Sequence, residues 1–478
     1  MAAVASTTAA GHGAGGAAAT LPADFYWGGS TSAFQFEGGA SEGGKGKSVY
    51  DVPLRSGAKF DTASDFYHHW REDIDLMAQM GFSAFRMSIS WTRICPNGDS
   101  TVNEEGIAFY RQVFQYLRQR GIAPVVTLYH WDLPLALAGK EAGWLSDRTV
   151  DAFLAYSRVC FERFGDLVCD WLTLNEDNLC TMLPAFQLLG PSAFGPNAPQ
   201  VSEADTYRIL HNTLRAHFGA VRLCHELCPG ARIGCMLASS LAYPLTPDPV
   251  DVIAAQRHNR KTMWDFLDVC THGTYNPRQA AAMLASGFKP NMRGADGTPF
   301  SADVYHMDFI SFSYYFSICQ ADQESAAAEG ATTVQTMYAS FENPKLAKSS
   351  FGWTIDPTGL RILMNELYDR YGLPVMVVEN GLGVKDDVLT EDGHVHDDYR
   401  IEYLRQHIAA VRATVLEDHV PVLGYLPWGC IDLLSASGDP AKRYGFVYVD
   451  FGAKGMPRYR KDSFAWYQHV IATRGAEL

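Results

Sequence analysis

One pattern recurs along this chain: a segment with apolar residues at helical spacing, then a glycine, then a short apolar run. In residues 65–80, Ile74 and Met77 share one helical face. Gly81 follows, and residues 82–89 are largely apolar. A glycine in this place closes a helix in the left-handed conformation, and a continuous apolar run is typical of a strand buried on both faces. The pattern therefore predicts helices that alternate with parallel strands.

The order of helical segment, glycine and apolar run recurs along the chain, and this repetition predicts the fold class. Gly121, Gly165 and Gly372 each separate a helical segment from an apolar run. The predicted strands span residues 25–29, 82–89, 122–129, 167–174, 233–238, 307–315, 375–378 and 422–428. Eight strands separated by helical segments predict an α/β fold, a single-domain (β/α)8 TIM barrel. The stretches 176–230 and 239–306 are too long for one crossover helix, so we expect loop insertions there.

A doubly wound open sheet is the alternative fold. It would place a G-x-G-x-x-G loop after an early strand, and no such motif follows one here. Residues 1–20 are rich in Ala, Gly and Thr and lack the basic segment and apolar run of a signal peptide, so we predict a disordered leader. Residues 21–478 contain no Ser/Gly/Pro-rich linker and are predicted to form the barrel as one domain.

Composition and net charge exclude some classes of protein and of binding partner. With 478 residues and 47% hydrophobic content, the chain is long and apolar enough to bury a large core. Its 39 basic and 53 acidic residues give a net charge of −14, which argues against nucleic acid or an anionic membrane as a partner. The ten cysteines include no C-x-x-C pair and are predicted to be reduced, buried thiols. Together with the leader, they favour a cytoplasmic location.

Two glutamates stand where predicted strands end. Glu176 follows the residues 171–175, and Glu379 follows the apolar run 375–378. The chemistry of a (β/α)8 barrel lies at the carboxyl ends of its strands, and a carboxylate there is costly to bury unless it is paired. A salt bridge or helix cap would explain either acid alone. The two together predict an acid/base pair that cleaves a glycosidic bond.

Five motifs of this sequence resemble the family 1 glycoside hydrolases. They are Ser32–Gly38, Phe85–Ile94, Leu128–Pro134, Thr173–Glu176 and Val378–Gly381. The resemblance runs in the right order from about Leu21 to Tyr467. It implies a TIM barrel and hydrolysis with retention of configuration. We expect no cofactor and no metal, because two carboxylates suffice for this reaction.

The resemblance also implies roles for individual side chains. Glu176 corresponds to the acid/base and Glu379 to the nucleophile. Arg86 would pair with Glu379 and keep it ionised, and Tyr315 would donate a hydrogen bond to it. The substrate-binding residues that the resemblance implies are Gln35, His130 and Asn175 for ring hydroxyls, Trp428 beneath the sugar and Trp353 on the leaving-group side.

The sequence departs from the family pattern at two positions. Asp177 follows the acid/base glutamate, where the family usually has proline or isoleucine. A second acid there either raises the proton affinity of Glu176 or points outward. Ser313 stands where the family often has asparagine. Alternation along a strand places Ser313 and Tyr315 on one face and Tyr314 on the other.

The segment after Trp428 indicates the substrate class. Members of the family that act on neutral glucosides carry Glu-Trp at the positions of Ser435 and Ala436. A glutamate there would repel a phosphate, whereas Ser435, Lys442 and Tyr444 offer hydrogen-bond donors to an anion. This segment resembles the phosphate loop of 6-phospho-β-glucosidases and 6-phospho-β-galactosidases. The galactosidases tend to carry tryptophan where Ala436 stands, so the gluco substrate is favoured.

The expected function is that of a retaining 6-phospho-β-glucosidase. Its substrate would be a small phosphorylated glycoside, cleaved to glucose 6-phosphate and an aglycone. The alternatives are a β-glucosidase for non-phosphorylated sugars and a catalytically impaired phospho-sugar-binding protein. Ser435 in place of glutamate speaks against the first, and the two intact glutamates speak against the second.

Overall fold

The computed structural model describes residues 19–52, 57–141, 143–194, 199–239, 241–294, 297–301, 305–335 and 339–478. The predicted leader lies outside these residues except for Ala19 and Thr20. The division into a leader and a barrel domain at residue 21 therefore stays a prediction.

Eight parallel strands close into a barrel, which confirms the predicted fold class. They are β1 Tyr26–Ser30, β2 Ala84–Ser88, β3 Ala123–Tyr129, β4 Asp170–Leu174, β5 Arg232–Ala238, β6 Phe309–Tyr314, β7 Val375–Asn380 and β8 Val422–Tyr425. Each overlaps a predicted strand. Neighbours along the chain are neighbours in the barrel, and β1 closes it by pairing with both β2 and β8.

Helices cover the outside of the barrel and extend its loops. The longer ones are α1 Phe66–Met80, α2 Glu104–Gln119, α3 Asp147–Phe164, α4 Glu203–Leu227, α5 Pro249–Asn259, α6 Asp265–His272, α7 Pro277–Ala285, α8 Pro357–Tyr371, α9 Asp398–Leu416 and α10 Asp462–Ala472. Short helices span Ala33–Phe36, Trp91–Ile94, Leu135–Glu141, Phe186–Leu189 and Gln323–Ala328. Turns of 3₁₀-helix span Gly143–Leu145, Asp177–Thr181 and Gly190–Phe194, and a π-helical turn spans Arg260–Trp264.

The predicted insertions are present. The connection from β4 to β5 holds two 3₁₀ turns and a short helix before α4. The connection from β5 to β6 holds α5, α6 and α7. A small second sheet forms at this side of the barrel from the strands Ala242–Pro244, Ile318–Gln320, Ala339–Phe341 and Thr333–Gln335. A hairpin of Val447–Val449 and Arg458–Arg460 follows β8.

The predicted role of glycine after a helix holds at three of the four sites. Gly81, Gly121 and Gly372 have positive φ angles of 90°, 76° and 66°. The expectation was wrong for Gly165, whose φ of −60° is open to any residue. A Cβ atom at Gly165 would lie 2.4 Å from Cys228 Sγ. This glycine is therefore required by close packing and not by its own backbone conformation.

The barrel interior changes from apolar to polar along the strand direction. Its apolar layer consists of Ala84, Val125, Leu172, Met236, Phe309, Met376, Val378 and Leu426. Residues two positions apart share a face of a strand. Arg86 therefore follows Ala84 on the inside, and Thr127 follows Val125, and both polar side chains are fully buried. Polar groups thus lie at the carboxyl ends of the strands, above an apolar base.

The cysteines largely follow the prediction. All ten are free, and nine are buried. Cys169 is exposed, so the expectation of burial was wrong for this residue alone. Among the described helices, none is long and apolar enough to cross a membrane.

A buried ion network anchors the segment between β8 and α10. Lys461 Nζ lies 2.5 Å from Asp387 Oδ2 and 2.8 Å from Asp432 Oδ1. Arg400 also contacts Asp387, at 3.0 Å, and Arg443 contacts Asp432, at 2.7 Å. Burial alone would raise the pKa of Asp387, but Lys461 and Arg400 outweigh it and bring this pKa to about 2. The network fixes both ends of residues 432–443, which include the predicted phosphate loop.

We expect Lys461→Met to lower the free energy of unfolding by about 3–5 kcal/mol, because it leaves two buried carboxylates without their shared cation. Urea denaturation measures this change. Lys454→Met is the matched control, since Lys454 is exposed. Equal stability of the two variants would contradict a structural role for the network.

Candidate active site

Both predicted catalytic glutamates line one cavity of about 810 Å³ at the carboxyl ends of the barrel strands. Glu176 lies two residues after the end of β4, and Glu379 lies within β7. Ten of the twelve predicted site residues line this cavity: Gln35, His130, Glu176, Tyr315, Trp353, Glu379, Trp428, Ser435, Lys442 and Tyr444. The remaining two, Arg86 and Asn175, are fully buried and form hydrogen bonds with each other.

A β-bulge directs Glu379 into the cavity. Met376 and Val378 face the barrel interior, so simple alternation would turn Glu379 outward. The pairing of β7 with β6 shifts register between Val377 and Glu379. Such a bulge re-aims the side chain that follows it. The next residue, Asn380, points outward, where its Nδ2 donates to Tyr314 O at 2.5 Å.

Glu379 is held by a cation and a phenol. Arg86 Nη1 donates to its Oε1 at 2.6 Å, and Tyr315 Oη donates to its Oε2 at 2.9 Å. Burial raises the pKa of Glu379, and these two donors oppose the rise because they bind the ionised form. Burial also raises the pKa of Tyr315, so its hydroxyl keeps the proton that it donates.

Arg86 fixes a second polar group of the site. Its Nη2 donates to Asn175 Oδ1 at 2.5 Å, and its Nε donates to Thr127 Oγ1 at 2.9 Å. A guanidinium has no acceptor, so the atom of Asn175 that faces it must be the oxygen. Asn175 Nδ2 is buried and has no hydrogen-bond partner among the residues that the structure describes. A substrate hydroxyl is the kind of group that would satisfy this donor.

Glu176 has a different environment from Glu379. Ser313 Oγ donates to Glu176 Oε1 at 2.5 Å. Burial raises the pKa of Glu176 to about 8, the neighbouring Glu379 adds to the rise, and the Ser313 bond opposes it. Arg86 bonds directly to Glu379 and not to Glu176, so Glu176 is the carboxyl that keeps a proton near neutral pH. Its φ of 49° is uncommon for a residue other than glycine.

The predicted alternation along β6 is confirmed. Ser313 and Tyr315 each contact one glutamate of the pair. Tyr314 faces away from the cavity, and its hydroxyl donates to Asp356 O at 2.8 Å. One strand end therefore supplies a hydrogen-bond donor to both carboxyls.

The predicted sugar-binding residues surround the glutamates. His130 and Trp428 stack with their rings 5.6 Å apart. Burial, together with Arg86, lowers the pKa of His130 well below its ordinary value, so its ring is neutral. Gln35 lines the cavity, and its Nε2 donates to Leu434 O at 2.8 Å. Gln35 thus joins the sugar-facing wall to the predicted phosphate loop.

The predicted phosphate loop lines the same cavity as the glutamates. Ser435 Oγ accepts a hydrogen bond from Asp439 N at 3.0 Å and lies 2.9 Å from Ser437 Oγ. These contacts close a turn that presents small residues to the cavity. Tyr444 is partly buried, and burial raises the pKa of its hydroxyl, which stays protonated.

An aromatic cage surrounds the ammonium group of Lys442. Its Nζ lies 4.1 Å from the ring centres of Phe351 and Trp353 and 5.5 Å from that of Tyr444. Burial lowers the pKa of Lys442 to about 8, and Asp439 opposes the change. The cage binds the cation through its ring faces and leaves the charge incompletely solvated. Trp353, expected on the leaving-group side, therefore also contacts the lysine of the predicted phosphate loop.

Asp177 does not point outward. Its side chain is 3% exposed, and its Oδ2 has no hydrogen-bond partner in the described structure. Burial raises the pKa of Asp177 to about 7, and a hydrogen bond with Thr213 opposes the rise. The alternative in which this acid is turned to solvent is therefore wrong.

Sequence reasoning missed three contributors to the site. Trp131 lines the cavity, has a φ of 68°, and donates from Nε1 to Asn175 O at 3.0 Å. Phe351 belongs to the cage, although it lies 91 positions before Lys442 in the chain. The bond from Ser313 to Glu176 also joins distant strands. Trp131 had a sequence signal, because it lies inside the motif Leu128–Pro134. Ser313 was noted as a departure from the family pattern, but the sequence did not indicate its bond to Glu176.

A cluster with metal-binding chemistry lies away from the glutamates. His225, His306 and Asp308 offer ligand atoms within 4.8 Å of one another. Asp308 directly precedes β6 and accepts a bond from Ile233 N in β5, so the cluster lies at the amino ends of these strands. The glutamate pair lies at the opposite, carboxyl ends.

Comparison with known proteins identifies the class. The sequence model of glycosyl hydrolase family 1 matches residues 17–476. The chain therefore belongs to this family of glycoside hydrolases.

Among its relatives, the 6-phospho-beta-glucosidase of Clostridium longisporum is 42% identical over 96% of this chain and 98% of its own. The aryl-phospho-beta-D-glucosidase BglH of Bacillus subtilis is 41% identical over the same shares. The solved structure of the family 1 β-glucosidase of Thermotoga maritima superposes with a TM-score of 0.84 at 32% identity, covering 96% of this chain and all of that one.

We expect Ser313→Ala to raise the pKa of Glu176, because the lost hydrogen bond stabilises the ionised carboxylate. The alkaline limb of the kcat/KM profile against pH should therefore move to higher pH. Ser311→Ala is the matched control: Ser311 is equally buried in β6 but donates to Cys235 O. If both variants leave the alkaline limb in place, Ser313 does not tune this carboxyl.

Proposed function

We propose that this enzyme is a retaining 6-phospho-β-glucosidase, which hydrolyses phosphorylated β-glucosides to glucose 6-phosphate and an aglycone. One observation carries the proposal: the caged ammonium of Lys442 and the small residue Ser435 line the same cavity as the glutamate pair. A glutamate at position 435 would place a negative charge where the phosphate must lie. The printed names of the relatives from C. longisporum and B. subtilis agree with this substrate class.

In the first step, Glu176 is the acid and Glu379 the nucleophile. Protonated Glu176 gives its proton to the glycosidic oxygen while a carboxylate oxygen of Glu379 attacks the anomeric carbon. The aglycone leaves as an alcohol, and an ester joins the sugar to Glu379. Arg86 and Tyr315 support this step because their bonds favour the ionised form of the nucleophile.

In the second step, water replaces the aglycone. Glu176, now ionised, takes a proton from a water molecule that attacks the anomeric carbon and breaks the ester to Glu379. Two displacements at one carbon restore the original configuration. Asn175 Nδ2 would donate to a ring hydroxyl during both steps. In support, it is buried beside Arg86 and has no partner among the described residues.

The remaining roles follow from position in the cavity. Gln35 and His130 would bind ring hydroxyls, and Trp428 would lie beneath the sugar. Ser435, Lys442 and Tyr444 would hold the 6-phosphate. The reaction needs no cofactor or metal in this proposal. We also propose a cytoplasmic location and a small-molecule substrate as the partner, with neither nucleic acid nor membrane involved.

We expect Glu379→Ala to lower kcat on p-nitrophenyl β-glucoside 6-phosphate by roughly 10⁴- to 10⁶-fold, because no covalent intermediate can form. Added azide should restore turnover and yield the α-glycosyl azide, since azide enters from the face that Glu379 occupied. Product NMR identifies the anomer. Glu391→Ala, which changes an exposed glutamate, is the control. A β-glycosyl azide would contradict the assignment of Glu379 as nucleophile.

We expect Lys442→Met to lower kcat/KM for p-nitrophenyl β-glucoside 6-phosphate by roughly 10- to 150-fold, the value of a hydrogen bond of about 1.5–3 kcal/mol to a charged group. The unphosphorylated glucoside should change by less than about twofold. Methionine fills the aromatic cage without the charge. The kcat/KM for the phosphorylated substrate divided by that for the unphosphorylated one isolates the contribution of the phosphate. The ionisation of Glu176 affects both values and therefore cancels.

The same ratio has a pH dependence and two controls. In unmodified enzyme it should fall above pH 8, where Lys442 loses its proton in the free enzyme. Lys289→Met changes an exposed lysine outside the cavity and should leave the ratio unchanged. Ser435→Glu should lower the ratio further through repulsion. If Lys442→Met weakens both substrates equally, the substrate is an ordinary β-glucoside.

A further inference from the structure

A second large cavity lies beside the active site. It measures about 630 Å³ and is formed by α4, α5, the π-helical turn, α6 and α7. The 3₁₀ turn Asp177–Thr181 separates it from the active-site cavity. Leu179 faces the active-site cavity, whereas Asn178 and Thr181 line the second one. The two cavities are therefore distinct spaces on either side of the segment that follows Glu176.

Four basic side chains line this second cavity, which we call the basic cleft: Arg257, Arg260, Lys261 and Arg278. Within the part of the chain that the structure describes, none of the four forms an ion pair. The acids of the lining are Glu203 and Asp265. Asp265 interacts electrostatically with Arg260 and Arg278 without an ion pair, so the lining has a local excess of positive charge in a protein whose net charge is −14. Such a cleft attracts anions.

A buried amide supplies an independent indication of a ligand. Gln279 lines the basic cleft, is 6% exposed, and its Oε1 has no hydrogen-bond partner in the described structure. A buried acceptor without a partner costs free energy unless a ligand or water satisfies it. An oxygen acceptor requires a donor such as a hydroxyl group, and a polyol supplies one that is separate from the phosphate bound by the basic side chains. A ligand that satisfies both the basic side chains and Gln279 Oε1 is therefore an anion that also carries hydroxyl groups.

Aromatic side chains also line the basic cleft. Tyr207 from α4 and Phe266 from α6 add aromatic surface beside the charges. A short polar link joins the cleft to the active-site segment: Asn178 Nδ2 donates to Thr262 O in the π-helical turn at 2.8 Å and to Ala238 O at 2.9 Å. Turns of π-helix are found frequently at functional sites.

We infer that the basic cleft is a second, non-catalytic binding site for a small phosphorylated polyol of the sugar phosphate class. Its phosphate binds Arg260 and Lys261 from the π-helical turn together with Arg278 from α7. A hydroxyl group of the ligand donates to Gln279 Oε1. This site uses none of the residues assigned to hydrolysis, so its test is independent of the test of the proposed function.

The test uses glucose 6-phosphate as the probe and Lys442→Met as the parent protein, so that binding in the active-site cavity is weakened. Isothermal titration calorimetry gives the dissociation constant. We expect Arg260→Glu combined with Lys261→Glu to raise it by at least about tenfold, because two attractive charges become repulsive. Arg208→Glu, an exposed change on α4 outside the cleft lining, should change it by less than about twofold beyond the general loss of positive charge.

Two further variants test which chemical groups of the ligand the basic cleft binds. Gln279→Leu should weaken glucose 6-phosphate several-fold and inorganic phosphate by less than about twofold, because in the proposed site a sugar hydroxyl, and not the phosphate, donates to Gln279 Oε1. Arg278→Glu changes a different helix and tests the site if the double variant fails to fold. Equal affinity of the parent, Arg278→Glu and Arg208→Glu proteins overturns the site. Equal affinity for inorganic phosphate and glucose 6-phosphate overturns the polyol assignment, and an unchanged ratio of the two in Gln279→Leu does the same.

Discussion

The guanidinium group of Arg86 is a fully buried cation at the centre of the barrel, and the arrangement of the active site depends on its bonds. It donates hydrogen bonds to Glu379, Asn175 and Thr127, and these bonds fix the orientation of the side chains that it contacts. A buried cation must be paired, so Glu379 has to point inward. The β-bulge in β7 makes this orientation possible. The same guanidinium turns the oxygen of Asn175 toward itself and leaves the amide nitrogen for a ligand.

The two glutamates differ in protonation because their carboxyl groups have different hydrogen-bond partners. Both are buried, and burial raises the pKa of both. Two strong donors oppose this effect at Glu379, whereas Ser313 is the one residue in the described part of the chain whose side chain bonds to the carboxyl of Glu176. A proton shared by the pair therefore resides on Glu176. Two identical side chains thus acquire opposite chemical roles from their neighbours, as the reaction of a retaining hydrolase requires.

The barrel and the glutamate pair were predictable from sequence because both depend on local patterns. Continuous apolar runs mark the strands, and an acid after such a run marks a strand end. The bulge that turns Glu379 inward has no comparable signal, since it depends on pairing between β6 and β7. Gly165 shows the same limit: its need for glycine comes from Cys228, which is distant in the chain. The cage around Lys442 likewise joins residues from separate loops.

Recognition of a phosphate requires a cation that is available and yet not neutralised by a neighbouring carboxylate. In the loop after β8, a full ion pair would satisfy Lys442 and leave little attraction for a substrate. Aromatic faces stabilise the ammonium less strongly than a carboxylate does and carry no net charge. The cage therefore keeps the lysine in place without neutralising it. The buried network around Lys461 pairs its charges fully, because its task is to hold the loop and not to bind a ligand. The contrast between these two lysines, 19 positions apart, shows how pairing separates a structural cation from the cation proposed to bind phosphate.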